Sequence, residues 1–415
     1  MKSSYLRSLA LLAGVTNALE SQQPLGEQPT TKLDQIITSS PLLSFHRDIV
    51  QIPSISGNEK AVGEFIINFL TAHNLTVEKQ IVTPGTETEN ERFNIYAYVG
   101  GNRLPDVLLT SHIDTVPPFI EYSLHAPASA FTREDLTIAG RGTVDAKASV
   151  ASIVFAALET LQENRTASLG LLFDVGEEKS GVGMKHFSDS ELNPDPATYR
   201  AIIFGEPTEL SLVAGHKGTL GFKIVSRGKA AHSGYPELGK SAISAILPVL
   251  QYLDGLQDLE PDEGGLLRSE MFNRSTLNIG VVSGGQAANV VPAYAEAAVS
   301  VRLAAGTPDD TREIIQRAVD SVSGGDGGVV VDFGDRAVGA PPQYLDADVD
   351  GFDVITVNYG TDVPSLKIHN GATKVKRYLY GPGTIHVAHG DDEAITVREL
   401  EQAVQGYKRL ISAAL

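Results

Sequence analysis

Three apolar stretches, "DVLLTSHIDTV" at 106–116, "SLGLLFDV" at 168–175 and "YRAIIFGE" at 199–206, run without the polar–apolar alternation of a half-exposed strand. Runs of this length suit strands covered on both faces, as in a parallel sheet. Between the first two, "DAKASVASIVFAALETLQ" repeats Val150, Ile153, Val154, Ala157, Leu158 and Leu161 at helical spacing. Strand, helix, strand in that order predicts a doubly wound α/β domain, its sheet mixed but mainly parallel, with helices on both faces. A further helix is expected in "NEKAVGEFIINFL", where Val62, Phe65, Ile66, Phe69 and Leu70 share a face.

After about Gly215 the pattern changes. "GFKIVSRG" alternates as a strand, "SAISAILPVLQYL" reads as a helix, and "TLNIGVVSGG" and "AEAAVSVRLAA" read as two strands. The helix "DDTREIIQRAVDSV" and the strand "VVVDFGD" complete a β-α-β-β-α-β module. A chain of 415 residues is too long for one simple core. The expected division is therefore a catalytic domain in two parts, 38–215 and 336–415, interrupted by an inserted α+β lid over 216–335. The chain should end on a helix opened by a capping box from Thr396 to Glu399.

The N-terminus reads as a secretory signal over 1–18. Lys2 and Arg7 precede the short apolar run "SLALLAGV", and Ala18 is a suitable cleavage position. That run is too short to span a bilayer. The polar, Pro-containing stretch 19–37 is expected to be a flexible lead-in. Cysteine is absent, which removes thiolate mechanisms and Cys zinc sites and leaves no disulfide framework. Three acceptor triplets at Asn74, Asn164 and Asn273 fit a glycosylated extracellular protein. A formal charge of −18 argues against nucleic acid or an anionic membrane as partner.

Ligands of open α/β sheets gather at the carboxyl ends of the strands. Those ends carry His112 and Asp114, Glu177 and Glu178, and Glu206; Asp145 stands where a helix should begin, and His389 sits in "VAHGDDEA". Singly, each has a mundane reading: Asp145 as a helix N-cap, His112 as a structural ring, the glutamate pair as a turn tip. Jointly they would cost several kcal/mol per uncompensated buried charge if no cation joined them. Imidazoles and carboxylates without sulfur suit a divalent ion such as zinc. The ligands are too many for one tetrahedral ion, so two ions sharing a carboxylate is the economical arrangement.

In order, "SHIDTVP", "GRGTVDAKAS", "GEEKSG", "GEPTE", "HSGYPELGKSAI" and "HGDDEAI" resemble the zinc-dependent exopeptidase and amidohydrolase family. That family includes acetylornithine deacetylase, succinyl-diaminopimelate desuccinylase, aminoacylase and glutamate carboxypeptidase. The resemblance covers roughly 45–415. It implies that His112 and Glu206 bind one zinc, that Glu178 and His389 bind the other, and that Asp145 bridges them. Asp114 would fix the His112 ring, and Glu177 would be the general base. His232 would help hold the oxyanion, from the partner subunit of a lid-mediated homodimer. Asn289 and Arg302 would take the substrate's carboxylate and carbonyl, with Gly383 bringing backbone close to it.

The chain departs from the family pattern at Ser300 and Ala305, where Asp and Pro are usual, and at Ala148, where Gly is usual. These changes touch no metal ligand. The expected function is a secreted two-zinc exopeptidase of carboxypeptidase type acting on small peptides. An N-acyl-amino-acid amidohydrolase is the runner-up, and a non-catalytic zinc-binding scaffold the remote third.

Overall fold

The computed structural model describes residues 32–83, 90–127, 132–324, 327–334, 339–369, 371 and 374–415. The expected signal segment and residues 19–31 of the lead-in lie outside them. The end of that lead-in is not loose. Lys32–Thr38 forms helix α1, because Ile37 is buried in the core and Leu33 and Ile36 pack against it.

From there the chain builds α2 (Pro41–Gln51), α3 (Lys60–Ala72), β1 (Leu75–Thr83), β2 (Arg92–Val99) and β3 (Val107–His112). Helix α4 (Lys147–Glu163), β4 (Leu169–Asp174), α5 (Val182–Ser188) and β5 (Ala201–Gly205) follow. The chain then leaves for an insert, β6 (Gly218–Arg227), α6 (Ala242–Gly255), β7 (Thr276–Gly284), β8 (Tyr294–Leu303), α7 (Pro308–Ser323) and β9 (Val329–Asp332). It returns with β10 (Lys376–Tyr380) and closes on α8 (Val397–Ala414), whose N-terminus carries the Thr396–Glu399 capping box.

The main sheet has the order β1-β2-β4-β3-β5-β10. Its β4-β3-β5-β10 portion is parallel, and β1 and β2 add an antiparallel edge. The unbroken apolar runs are explained by burial on both sides. Leu109, Leu171, Phe173 and Ile203 face the core formed with α2, α3, α4 and α8. Their neighbours Leu108, Leu172, Ile202 and Phe204 face a second core with Met184 and Phe187 of α5 and with Val213 and Val357. Each such apolar side chain contributes about 1.5–3 kcal/mol by leaving water. Register decides where the site falls: His112 pairs with Asp174, and Gly205 with Tyr380, so the parallel strands end along one edge.

The insert is an antiparallel sheet of order β7-β8-β6-β9, with α6 and α7 packed on it around a separate core. Chain exit and return run side by side, joined by a bridge between Thr219 and Ala340. Glycine is required at 218, because a Cβ there would lie 2.2 Å from the Ala340 carbonyl oxygen. Among the described residues no helix is long and apolar enough to cross a membrane.

Candidate metal centre

His112 is the last residue of β3 and is buried. Its Nδ1 lies 3.0 Å from the Asp114 carbonyl oxygen, which can only accept. Nδ1–H therefore donates to it, and Nε2 lies 3.1 Å from Asp145 Oδ1, the face that would meet a metal ion. Asp145 is not the N-cap of α4: Ala146 holds that position, and no side chain caps the helix. Freed from capping, its second oxygen Oδ2 lies 3.3 Å from His389 Nε2. His389 adopts φ +65° and also lies 3.0 Å from Glu178 Oε2.

The turn after β4 aims two adjacent glutamates differently. Gly176 has φ +80°, and a Cβ there would meet the Arg92 guanidinium at 2.7 Å. Glu178 turns to His389, whereas no hydrogen bond to the Glu177 carboxylate is found among the described residues. Asp114 anchors this turn: its Oδ1 accepts from the backbone N–H of Gly176 at 2.8 Å and of Glu177 at 3.2 Å. Ser56 donates to Oδ2 at 2.6 Å. The resemblance makes Asp114 the residue that fixes the His112 ring, and here its carbonyl accepts from that ring. The carboxylate, 3.6 Å from Nδ1, flanks the same ring and also holds the turn of Glu177. Lys179 bonds to the Ser56 carbonyl at 3.3 Å.

Glu206 follows β5 and lines one small cleft with His112 and Asp362. Ligand atoms of His112, Asp145 and Glu178 lie within 4.8 Å of one another, a spacing that could hold a metal ion. His389 joins that group through Asp145 and Glu178, and Glu206 stands beside it.

The electrostatics call for positive charge. Burial, and then repulsion from neighbouring carboxylates, holds Glu177 and Glu206 well above the usual carboxylate range. Burial likewise raises Glu178. Burial alone would lower His112, but the flanking Asp114 and Asp145 outweigh it and hold the ring well above its ordinary value. Hydrogen bonds to Asp145 and Glu178 raise His389 to about 10. These groups answer one another as a donor set that wants a cation at its centre.

The insert contributes less directly. His232 and Asn289 are exposed and neighbouring: Ser233 N–H donates to the Asn289 carbonyl at 3.0 Å, and His232 bridges Val290. Among the described residues no hydrogen bond or ion pair links either to the five candidate ligands. Arg302, near the end of β8, reaches the catalytic domain, its Nη1 lying 3.3 Å from where a Cβ on Gly360 would stand. No hydrogen bond or ion pair to its guanidinium is found among the described residues. Gly383 is buried at φ +79° against Val144, and its carbonyl accepts from Glu209 N–H at 2.8 Å.

Sequence reasoning missed Tyr359 and Asp362, both in "NYGTD". Tyr359 O–H donates to the Pro207 carbonyl at 2.9 Å, one residue from Glu206. Asp362 neighbours the fully buried Asp174, and burial raises both, Asp174 to about 7. Neither residue ends a strand of the main sheet, which is why a search of strand ends passes over them.

Residues 214–326 match the model of a peptidase dimerisation domain of the M20 family. Over 418 aligned residues, covering 100% of both chains, the sequence is 72% identical to a probable carboxypeptidase of Aspergillus flavus. The chain belongs to the M20 peptidase family. It is thus a hydrolase of carbon–nitrogen bonds. The fold agrees with solved structures: an M20 metallo-carboxypeptidase of Sulfolobus solfataricus has a TM-score of 0.66 at 18% identity, covering 90% of this chain and 99% of that one. A dinuclear metal-binding M20 peptidase of Bacillus subtilis has a TM-score of 0.58 at 16% identity, covering 92% and 98%. In this M20 peptidase the His112–Asp145–Glu178 group is the expected seat of the metal.

Proposed function

We propose that this M20 peptidase is a secreted carboxypeptidase-type exopeptidase that works with two zinc ions. One observation carries the reading: Asp145 directs each of its oxygens at a different imidazole, which suits a carboxylate shared by two ions. His112 and Glu206 would hold one ion, Glu178 and His389 the other. The donor set, all nitrogen and oxygen, fits zinc. The dinuclear relative of Bacillus subtilis supports the count.

Bound there, the ions would supply Lewis-acid polarisation of the scissile carbonyl. The chain's own groups do the rest. Glu177, its carboxylate without a hydrogen-bond partner among the described residues, takes a proton from the attacking water and returns it to the departing nitrogen. Arg302 offers an uncommitted guanidinium fork for the substrate's terminal carboxylate. His232 and Asn289, exposed together on the insert, would reach the site of a second subunit. The dimerisation-domain match supports this assembly, as do the exposed apolar residues Leu247, Tyr252, Val281 and Val282. The N-terminal "SLALLAGV" segment and the exposed Asn74, Asn164 and Asn273 support secretion and glycosylation.

The deciding experiment combines metal analysis of the purified protein with a substrate panel. Dipeptides with free C-termini should be cleaved and their C-terminally amidated forms should not. Turnover confined to N-acetyl or N-succinyl amino acids would replace this reading with an amidohydrolase.

A further inference from the structure

Beneath the metal group lies an ion pair that the proposed chemistry does not use. Arg141 and Glu393 meet at 2.8 Å, and both side chains are 1% exposed. Burying two charges costs more than their attraction commonly returns, so stability alone is a weak reason to keep them. Their remaining bonds point to another reason. Glu393 Oε1 accepts the backbone N–H of Val144 at 2.9 Å and of Asp145 at 3.1 Å. Arg141 donates to the Gly390 carbonyl at 3.0 Å, to the His389 carbonyl at 3.3 Å and to the Pro118 carbonyl at 3.2 Å. The pair thus grips the backbone of both Asp145 and His389.

We infer that Arg141 and Glu393 form a positioning clamp that sets the distance between Asp145 and His389, and so the affinity of the metal position His389 shares with Glu178. The inference rests on the two-ion reading above. Three facts favour it over simple packing. First, the two loops are 244 positions apart in sequence, from Asp145 to His389, and the clamp spans them directly. Second, His389 is half-exposed and lies in a left-handed conformation, so it has little packing of its own to hold it. Third, His112 and Glu206 are carried by β3 and the end of β5, which the clamp does not touch. Its loss should therefore be felt at one ion more than at the other.

The test is a calorimetric titration of the metal-free protein with zinc, repeated with Co2+ while its visible absorption is followed. Wild type is expected to take up two equivalents. Glu393→Gln, which keeps an acceptor for the two N–H groups but drops the charge, should keep one tight site and weaken the other by about 10- to 100-fold. Its Co2+ spectrum should change accordingly. Arg141→Lys, which retains the charge without the fork, should give an intermediate loss and provides a second reading if the first variant folds poorly. Two wild-type affinities and an unchanged spectrum in folded Glu393→Gln would overturn the clamp, whatever the change in melting temperature. Uptake of a single equivalent by wild type would sink the two-ion reading instead. The clamp then stands if Glu393→Gln weakens that one site and falls if it does not.

Discussion

Asp145 faces His389 across 3.3 Å with the carboxylate oxygen that His112, 3.1 Å from the other oxygen, leaves unused. Both contacts depend on the negative charge of one carboxylate. Asp145→Asn keeps the shape but replaces one oxygen with an NH2 that cannot ligate. Metal affinity should fall by at least about 100-fold, and hydrolysis with it. Retention of two tightly bound ions by this variant would remove Asp145 from the bridging position.

Glu177 and Glu178 are adjacent yet divide the work, because one is tied to His389 and the other is not. Glu177→Gln should therefore bind metal as wild type does while kcat falls about 100- to 10,000-fold. Glu178→Gln should lose metal affinity first. A Glu177→Gln enzyme with full turnover would mean that some other group moves the proton.

Much of this is legible in the sequence. The unbroken apolar runs announced strands buried twice over, and the ligands had to sit at their ends. Period-2 burial then appears as expected, with Leu108 and Leu109 entering opposite cores. What stayed hidden were contacts made by backbone rather than side chains. Asp114 orients His112 through its carbonyl, and Glu393 acts on backbone N–H groups, roles that no residue type advertises. Asp362 was hidden for a different reason: an acidic residue in a polar loop looks solvated until the tertiary fold buries it against Asp174. The lead-in misled because a short polar stretch outweighed Leu33, Ile36 and Ile37, whose packing organises the first helix.

Arg302 stands over the Gly360 loop with no protein partner among the described residues, which leaves its fork for substrate. A lost charge-assisted bond is worth about 1.5–3 kcal/mol. Arg302→Ala should therefore raise KM for free-carboxylate dipeptides by roughly 10- to 100-fold, and Arg302→Lys by less. A folded Arg302→Ala enzyme with an unchanged KM for these dipeptides would remove Arg302 from the carboxylate's binding.

Two buried histidines away from the ligand set each make stability fall in acid. Burial lowers both His46 and His216 from 6.5 to about 4. His46 Nε2–H donates to the Thr143 carbonyl at 3.2 Å and its Nδ1 has no hydrogen-bond partner among the described residues, so a second proton there would be buried unbonded. His216 donates from Nδ1 to the Lys217 carbonyl at 2.8 Å and accepts from Thr361 at 3.0 Å. The sign follows from proton counting. Between pH 6.5 and 4 the unfolded chain protonates these histidines and the folded chain does not, so their contribution to stability is full above 6.5 and is lost as pH falls through that window. Each histidine can remove up to about 3 kcal/mol by pH 4. Urea denaturation of metal-free wild type and His46→Gln at pH 7, 5.5 and 4.5, read as the difference between them, isolates this contribution from that of the raised buried carboxyls, which is opposite in sign. His46→Gln, which can still donate to Thr143, should flatten the curve relative to wild type; an unchanged slope would mean that His46 charges freely in the folded state.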